Sequence, residues 1–434
     1  MAGRHCRSKK NVWARAHHSN RGDSGPGHRG RGEAMNIIVM LIVWRFIVGV
    51  GIGGDYPLSA TISSEFASTK IRGRMMTAVF AAQGWGNFAA SLVATIITIA
   101  YKNVLAEEFP ADSCTSCNLA ANQICYPTSK LTQSFNRVDQ MWRLLIGMGC
   151  IPAVLALYFR LTIPETPRFT LDIERNILRA ENDIRGALTP DRLARSWDEL
   201  FLRADAPRPT RRDFRRYFGQ WKNLRVLIGT AYSWLHFTPL GLNASVILAG
   251  IGFGDSSDVY KNIYHLCVGN LILAVAGLIP GYWACFLFID TWGRRPIQLM
   301  GFCVLTGLFL VMGLSFNHFI QYDAATTANF GPNSTTFIIP GEIFPTRYRS
   351  TGHGISAATG KLGAILAQVM FTWLVDTADN KWLDHSFEIL AGFMFTGVLS
   401  TLLVPETKGK SLEELSGEGQ EEFMQPAEIP MDDF

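Results

Sequence analysis

Nine stretches of this chain stay apolar for long enough to cross a lipid bilayer as α-helices, at residues 35–53 (running on past 55), 75–101, 141–161, 223–249, 263–289, 297–316, 326–344, 351–375 and 387–404. A helix rises about 1.5 Å per residue, so about 20 apolar residues cover the ~30 Å hydrocarbon layer. Inside that layer each backbone amide must find its partner within the chain, and a helix does this segment by segment. The expected fold is therefore all-α and membrane-embedded. Composition agrees: 48% of the 434 residues are hydrophobic and 18% charged, with a mean hydropathy of +0.13. A soluble chain of this length would make two or three domains and carry more charge.

Charge sorts by connection. Lys70, Arg72 and Arg74 follow the first span, and Arg168, Arg175, Arg211, Arg212, Arg215 and Arg216 stud 162–222. Arg294 and Arg295 follow the fifth span, Arg347 and Arg349 the seventh. The alternate connections carry Asp112, Asp255, Asp258, Asp376 and Asp379. The positive-inside rule puts the basic set in the cytoplasm. Residues 1–34, mostly Arg, His, Gly and Ser, are expected to be disordered. The alternation would leave them outside the cell, against the same rule. They are thus expected not to be genuine, with earlier spans missing before residue 35. The expected division is a three-span remainder of a first bundle (35–161), a cytoplasmic linker (162–222), a six-span second bundle (223–404) and an acidic cytoplasmic tail (405–434).

Several polar side chains lie where a span is ordinarily apolar. A carboxylate near the bilayer centre costs about 2.5–3.5 kcal/mol on insertion scales, so Asp55 and Glu65 are expected to face a protein interior or a watery cavity, as is Tyr56. Gly49-x-Gly51-x-x-Gly54 has the dinucleotide-binding spacing, but that fingerprint needs a strand before it and a helix opening at the glycines. Here it ends a span, and close helix packing accounts for it. Gln83, with Trp85 and Asn87 nearby, is either helix glue or a solute contact. Lys361, eleven residues beyond Ser350, is too deep to snorkel and needs an anionic partner, for which Asp55 is the candidate. The same cation would attract an anionic solute. Asp290-Thr-Trp-Gly293-Arg294-Arg295 joins two spans by a tight turn. It suits either an ion-pair network that breaks and re-forms or plain positive-inside anchoring.

The chain also repeats itself. Glu65-x-x-x-Thr69-Lys70-x-Arg72 recurs as Glu342-x-x-x-Thr346-Arg347-x-Arg349, each copy closing a span and opening a basic loop. The same offset relates Tyr56 to Asn333. Parallel repeats of this kind build two-halved carriers that hold the solute at the midplane.

Taken together these residues resemble the fungal and plant phosphate:proton symporters of the major facilitator superfamily. The resemblance runs from about Met35 to Glu418 and rests on GIGGDYPLSATISSEFAS (51–68), AAQGWGN (81–87), IPETPRFT (163–170), GLNASVIL (241–248), DTWGRRP (290–296), FGPNSTTFIIPGEIFPTRYRSTGHGISAATGKLGA (330–364) and VPETKGKSLEELSGE (404–418). The GGDYPLSATI and FGPN–PGE–FPTRYRST blocks belong to the phosphate branch, while the DxxGRR-like and PETKG blocks are shared with sugar carriers. The resemblance implies a two-bundle helical carrier of which about nine spans are present, with phosphate held by Tyr56, Gln83, Trp234 and Asn333 and by Lys361 as the basic residue near the site. Asp55 would belong to the proton pathway. Arg45, inside the first span, matches an arginine of the family pattern and is expected to pair with an acid. Arg45, Glu65, Arg72, Asp290, Arg294, Arg295, Glu342 and Arg349 form the expected gating and ion-pair set. Amide, phenol and indole donors suit an oxygen-rich anion, and a carboxylate that trades its proton couples the gradient.

Three departures stand beside the resemblance. The family's first three spans, including its first proton-binding aspartate, have no counterpart here. After Trp234 the chain reads Leu-His-Phe-Thr238-Pro-Leu-Gly241, with Thr238 where a substrate-site acid belongs and no tyrosine after it. His236 is the titratable side chain nearest that gap. The span before Asn333 is broken at Gln321–Ala328. All three look like splice-junction errors, and a three-span first bundle leaves transport by the chain as it stands in question. Cys114, Cys117 and Cys125 cluster, yet no second CxxC or paired His accompanies them, so at most a local disulfide in an extracytoplasmic loop is expected. The expected partners are inorganic phosphate, protons and the lipid bilayer. No nucleic acid is expected at a net charge of +4, and no cofactor, metal or enzymatic activity. The expected location is the plasma membrane. The competing readings are a carrier for a sugar or a glycerophosphodiester and a membrane protein that does not transport.

Overall fold

The structure, a computed structural model, describes residues 32–103, 128–162, 166, 210–237, 259–314, 329–377 and 383–416. Among the described residues there is no β-strand, and each of the nine apolar runs falls on a helix. In chain order these are α1 (Gly32–Phe66), α2 (Arg72–Ala100), α3 (Thr128–Thr162), α4 (Arg211–Phe218), α5 (Trp221–Phe237) and α6. Helix α6 runs Val259–Ile272, passes through a π-helical stretch at Leu273–Leu278 and continues as Ile279–Trp292. Then come α7 (Arg294–Leu314), α8 (π-helical over Asn329–Asn333, then Ser334–Ile343), α9 (Thr346–Thr377), α10 (Leu383–Leu402) and the short α11 (Leu412–Ser416). Contacts gather Gly53–Phe434 into one compact unit and Met1–Ile52 into another, and the site described below lies in the former. Cys114, Cys117, Cys125, Thr238, Gly241 and the 321–328 break fall outside the described residues, as do residues 1–31.

Four segments are long and apolar enough to span a membrane by themselves: Val39–Phe66, Arg137–Thr162, Tyr260–Trp292 and Arg294–Leu314, with mean hydropathies of 1.5, 1.9, 2.1 and 2.1. The other expected spans are helical but diluted. Helix α9 alone carries Arg347, Arg349, His353 and Lys361 among its apolar residues. A helix that lines a polar path need be apolar only where it meets lipid or a neighbour. Exposed Leu144, Ile151, Val154, Leu155 and Phe159 on α3, and Val275, Leu287 and Phe288 on α6, supply such outer faces.

Two sites of close backbone approach shape the second half of the chain. A Cβ on Gly301 of α7 would come within 2.5 Å of Pro332 Cδ. Glycine there lets α7 and the start of α8 touch main chain to main chain. At Gly331 the α8 backbone leaves helical geometry (φ −136°, ψ −117°), which turns Asn333 inward. Helix α7 lies along α10, sealed by Phe302, Leu305, Phe309, Phe387, Leu390 and Met394. Helix α2 packs against both ends of α6. The central core gathers Ala60, Met76, Phe80, Trp234, Tyr282, Ile289, Ile297 and Phe337, from α1, α2, α5, α6, α7 and α8.

Candidate functional site

The centre of the molecule is an aromatic box with a polar rim. Tyr56 sits on α1 immediately before Pro57, whose ring removes a backbone donor from the helix interior. Ser59 helps satisfy the loosened turn, its hydroxyl donating to the carbonyls of Asp55 (2.9 Å) and Tyr56 (3.1 Å). The Tyr56 ring meets Trp234 of α5 edge to face at 6.1 Å, and Phe80 of α2 and Phe337 of α8 at 6.3 Å each. Phe80 and Phe337 stack at 4.5 Å, and Phe80 meets Tyr282 of α6 at 5.8 Å. Such offset and edge contacts follow the ring quadrupoles and fix each ring's orientation. Asn333 donates its amide to the Tyr282 hydroxyl at 2.7 Å, with Tyr282 1% exposed. Lys361 reaches in from α9, its ammonium 5.5 Å from the centre of the Tyr56 ring.

Tyr56, Trp234, Asn333 and Lys361, which the sequence singles out from four different helices, are thus brought to one place. Gln83 is on α2, three residues beyond Phe80, but its side chain is exposed and makes no hydrogen bond among the described residues. The expected pairing of Lys361 with Asp55 is not what the structure has. The Asp55 carboxylate takes Arg160, near the end of α3, at 2.5 Å, and no carboxylate among the described residues pairs with Lys361. Arg160 was not singled out from the sequence because it stands at the end of a span, where a cation is ordinary anchoring. His236 does not join the site either. It is two residues past Trp234, so it points to another face of α5, where its ring bonds the Tyr232 carbonyl and lies 5.9 Å from Phe393.

Four side chains that the sequence does not single out belong to the box. Phe80 and Phe337 look like ordinary core residues, and Tyr282 lies in an apolar run. His353 of α9, fully buried, sits beneath Phe337 at 5.3 Å and Trp234 at 6.1 Å. Its Nε2 lies 3.1 Å from the Phe337 carbonyl, while the buried Nδ1 has no hydrogen-bond partner among the described residues.

At the end that carries the basic connections, expected to face the cytoplasm, a second arrangement ties the two copies of the repeat together. Arg349 of the second copy reaches Glu65 of the first at 2.5 Å, both side chains only 1% exposed. Arg349 also donates to the Phe344 carbonyl at 3.1 Å. Asp290, at the end of α6, accepts from the backbone amides of Gly73 (3.2 Å) and Arg74 (3.0 Å). It thereby caps the α2 N-terminus, whose own residue at that position, Ile71, supplies no side-chain cap. Gly73 leaves room for this contact, since a Cβ would fall 2.5 Å from the Asp290 carboxylate and displace it. Arg72, almost fully buried, donates to the carbonyls of Ser64 (3.2 Å) and Lys410 (3.1 Å).

Arg294 is the hub of the second copy. It is 1% exposed and binds Glu342 through two nitrogens (2.8 and 3.2 Å), with Asp290 at 2.9 Å. Thr407 donates to the same Glu342 at 2.5 Å. Glu406 caps α7, accepting from the amides of Arg294 (3.0 Å) and Arg295 (2.9 Å). The chain reverses at Gly293 with φ +104°, a left-handed conformation that suits glycine alone. Of the expected gating and ion-pair residues, Glu65 meets Arg349, and Arg294 meets Glu342 and Asp290. Arg72 bonds main-chain carbonyls, Arg295 contributes its backbone amide and a 3.5 Å contact to the Leu402 carbonyl, and Arg45 is exposed and pairs with no acid among the described residues. The two glutamates of the repeat differ. Glu342 has both oxygens bonded, whereas Oε2 of Glu65 has no partner among the described residues.

Helix α4 latches onto this end. Thr210 caps it, accepting from the Asp213 amide at 3.2 Å, and Phe214, Tyr217 and Phe218 pack on Phe344, Tyr348 and Val404. Asp213 accepts from the Tyr348 hydroxyl (2.5 Å) and Arg347 (3.0 Å). Burial, joined by the Asp213 carboxylate, pushes the Tyr348 phenol up to about 12, so it remains a donor throughout the physiological range. Replacing Asp213 by alanine takes their charged acceptor from two poorly exposed donors. We expect a loss of about 1–2 kcal/mol, seen as roughly five- to thirtyfold faster amide exchange over Arg211–Phe218.

Residues 32–418 match the model of the sugar (and other) transporter family. The repressible high-affinity phosphate permease of Neurospora crassa is 44% identical over 421 residues, covering 90% of this chain and 71% of the relative. Inorganic phosphate transporter PHO84 of Saccharomyces cerevisiae is also 44% identical, over 88% of this chain and 68% of the relative. The low affinity inorganic phosphate transporter 1 of Petunia hybrida is 36% identical, over 89% and 74%. Among solved structures, a double-tryptophan mutant of XylE aligns with a TM-score of 0.66 at 21% identity, covering 92% of this chain and 78% of that one. The proton:xylose symporter XylE bound to 6-bromo-6-deoxy-D-glucose gives 0.61 at 21%, covering 87% and 73%. That likeness concerns the fold, and the phosphate transporters supply the nearer kinship. The chain belongs to the sugar (and other) transporter family of the major facilitator superfamily, on its inorganic phosphate branch.

Proposed function

We infer that this protein is a secondary active transporter, carrying inorganic phosphate together with protons across the plasma membrane by alternating access. The observation that carries the reading is the central box. It offers a lysine ammonium with no carboxylate partner among the described residues, next to phenol, indole and amide groups, and it lies between helices from both copies of the repeat. A neutral sugar has no use for such a cation, whereas phosphate, with up to two negative charges and four oxygens, takes a charge-assisted bond from it. Tyr56, Trp234, Asn333 and Lys361 would contact the phosphate directly, and Gln83 would join them when α2 moves. Asp55 would carry the proton, its carboxylate released from Arg160 as it protonates. The chemistry is binding and release without bond cleavage, which supports a carrier rather than an enzyme.

The cytoplasmic network would be the gate. Glu65–Arg349 and Asp290 on the α2 N-terminus hold the two copies together at that end. Passage of phosphate to the cytoplasm would require these contacts to part and the charges to hydrate. The test is uptake of labelled phosphate by vesicles containing the protein, with the outside acidified. Phosphate is expected to accumulate, a protonophore to abolish accumulation, and excess unlabelled glucose or glycerophosphocholine to leave it unchanged. Accumulation of either organic solute in place of phosphate would refute the reading.

A further inference from the structure

The basic residues of the cytoplasmic end fall into two kinds. Arg72, Arg294, Arg347 and Arg349 are turned inward and occupied by carboxylates or carbonyls. Those of α4 and the start of α5 are not. Arg211, Arg212, Arg215 and Arg216 are exposed along one side of α4, and after the turn at Gly219–Gln220, Lys222 and Arg225 are exposed on the first turns of α5. Asp213, the sole acid on α4, is drawn to the opposite side by Arg347 and Tyr348. No carboxylate among the described residues pairs with any of the six cations. Beside them Trp221 stands 66% exposed at the head of a membrane helix.

Six like charges within fifteen residues repel one another unless a counter-charge comes from outside the chain. The aromatic side of α4 is already buried on Phe344, Tyr348 and Val404, so the helix is fixed with its arginines facing away from the protein. An exposed tryptophan where a helix enters the membrane sits at the level of the lipid headgroups. Four to eight basic residues immediately cytoplasmic of such a helix are drawn electrostatically to the anionic headgroups of the inner leaflet.

We propose that this face is a binding surface for anionic phospholipids of the cytoplasmic leaflet, with Trp221 seated among the headgroups and the arginines of α4 engaging their phosphates. Because α4 also grips Tyr348 and Arg347 at the base of α9, lipid bound here presses the latch onto the cytoplasmic end. This surface is separate from the central box and does not depend on what the carrier transports.

The test uses the full chain in phosphatidylcholine vesicles and compares spin-labelled phosphatidylserine with spin-labelled phosphatidylcholine at the protein surface. Each surface cation contributes about fivefold at low salt, so a preference of at least fivefold for phosphatidylserine is expected, collapsing in 0.5 M salt. Two double variants, R211Q/R212Q and R215Q/R216Q, should each cut the preference severalfold, and the quadruple variant should cut it further, leaving only the part that Lys222 and Arg225 supply. K70Q, outside the cluster, should leave it in place. All the substituted side chains are exposed, so thermal unfolding in plain phosphatidylcholine should match the unsubstituted chain, and two separate pairs keep a folding defect in one from deciding the result. The proposal is overturned if the quadruple variant retains the preference undiminished. It is overturned equally if millimolar inorganic phosphate displaces the labelled lipid, which would make the surface a site for soluble anions.

Discussion

Replacing Glu65 by alanine is expected to shift the cytoplasmic end from closed to open by two to three and a half orders of magnitude. Glu65 and Arg349 meet at 2.5 Å with their side chains only 1% exposed. Removing one member of a buried pair takes the counter-charge from the other and costs about 3–5 kcal/mol, at about 1.4 kcal/mol per tenfold. That cost applies only while the two copies of the repeat are in contact, because once they part Arg349 is hydrated. A shift of about 5.5 kcal/mol carries a two-state balance from 99:1 to 1:99, so this one substitution comes close to inverting it. Spin labels on Lys70→Cys and Lys408→Cys, both exposed at the cytoplasmic end, would report the opening as a longer distance population. Arg349→Ala should act in the same direction. The double variant Glu65→Met/Arg349→Met should recover most of the closed population, because it leaves no buried charge behind. If the single and double variants give the same distances, the pair is not what holds this end.

The comparison of the two glutamates explains how far the sequence could be read. The repeat identifies Glu65 and Glu342 as equivalents, and spacing alone gives them equivalent partners. In the structure Glu65 bonds across to Arg349 of the other copy, while Glu342 bonds to Arg294 of α7. Which arginine each glutamate meets is set by how the helices cross, and one-dimensional spacing carries no information on that. The helical character of the apolar runs was legible because bilayer thickness imposes a length on a spanning helix, and four of the described segments meet that length and hydropathy by themselves. Helix α4 lay inside a stretch read as linker, although Thr210 three residues before Asp213, in a run alternating arginines with aromatics, is a capping signal with an amphipathic face behind it. Lys361 is expected from the sequence to need an anionic partner, and in the structure it is exposed and lies over the Tyr56 ring instead. Its assignment to Asp55 matched two scarce charges by scarcity, and Arg160, at a span end, was closer to the acid. Phe80, Tyr282 and Phe337 escaped because an aromatic residue in an apolar run looks the same whether it fills a core or lines a chamber. The phase of α5 was available all along: residues two apart on a helix diverge by about 200°, which separates His236 from Trp234.

The second large effect is expected at Lys361. Its ammonium sits 5.5 Å over the Tyr56 ring, and no carboxylate among the described residues neutralises it. An aromatic face holds a cation in place for about 0.5–2 kcal/mol without cancelling its charge, which keeps the lysine available to an incoming anion. A hydrogen bond to a charged group contributes about 1.5–3 kcal/mol, so Lys361→Gln should raise the KM for phosphate roughly ten- to 150-fold. Lys361→Arg should lose less, because the charge survives although the planar fork no longer matches the Tyr56 face. Tyr56→Phe keeps the ring beneath the ammonium and removes only the hydroxyl, so its loss should be about five- to tenfold and independent of the charge on the solute. The ratio between monoanionic and dianionic phosphate, varied through pH at fixed total concentration, then separates the roles. If Lys361 meets the substrate charge, the preference for the dianion should vanish in Lys361→Gln and persist in Tyr56→Phe. If Lys361 merely stiffens the aromatic box, both variants should lose uptake alike and neither should alter the charge preference. The outcome decides whether the box selects its solute by charge or by shape, because Lys361 is the one cation that reaches the Tyr56 ring among the described residues.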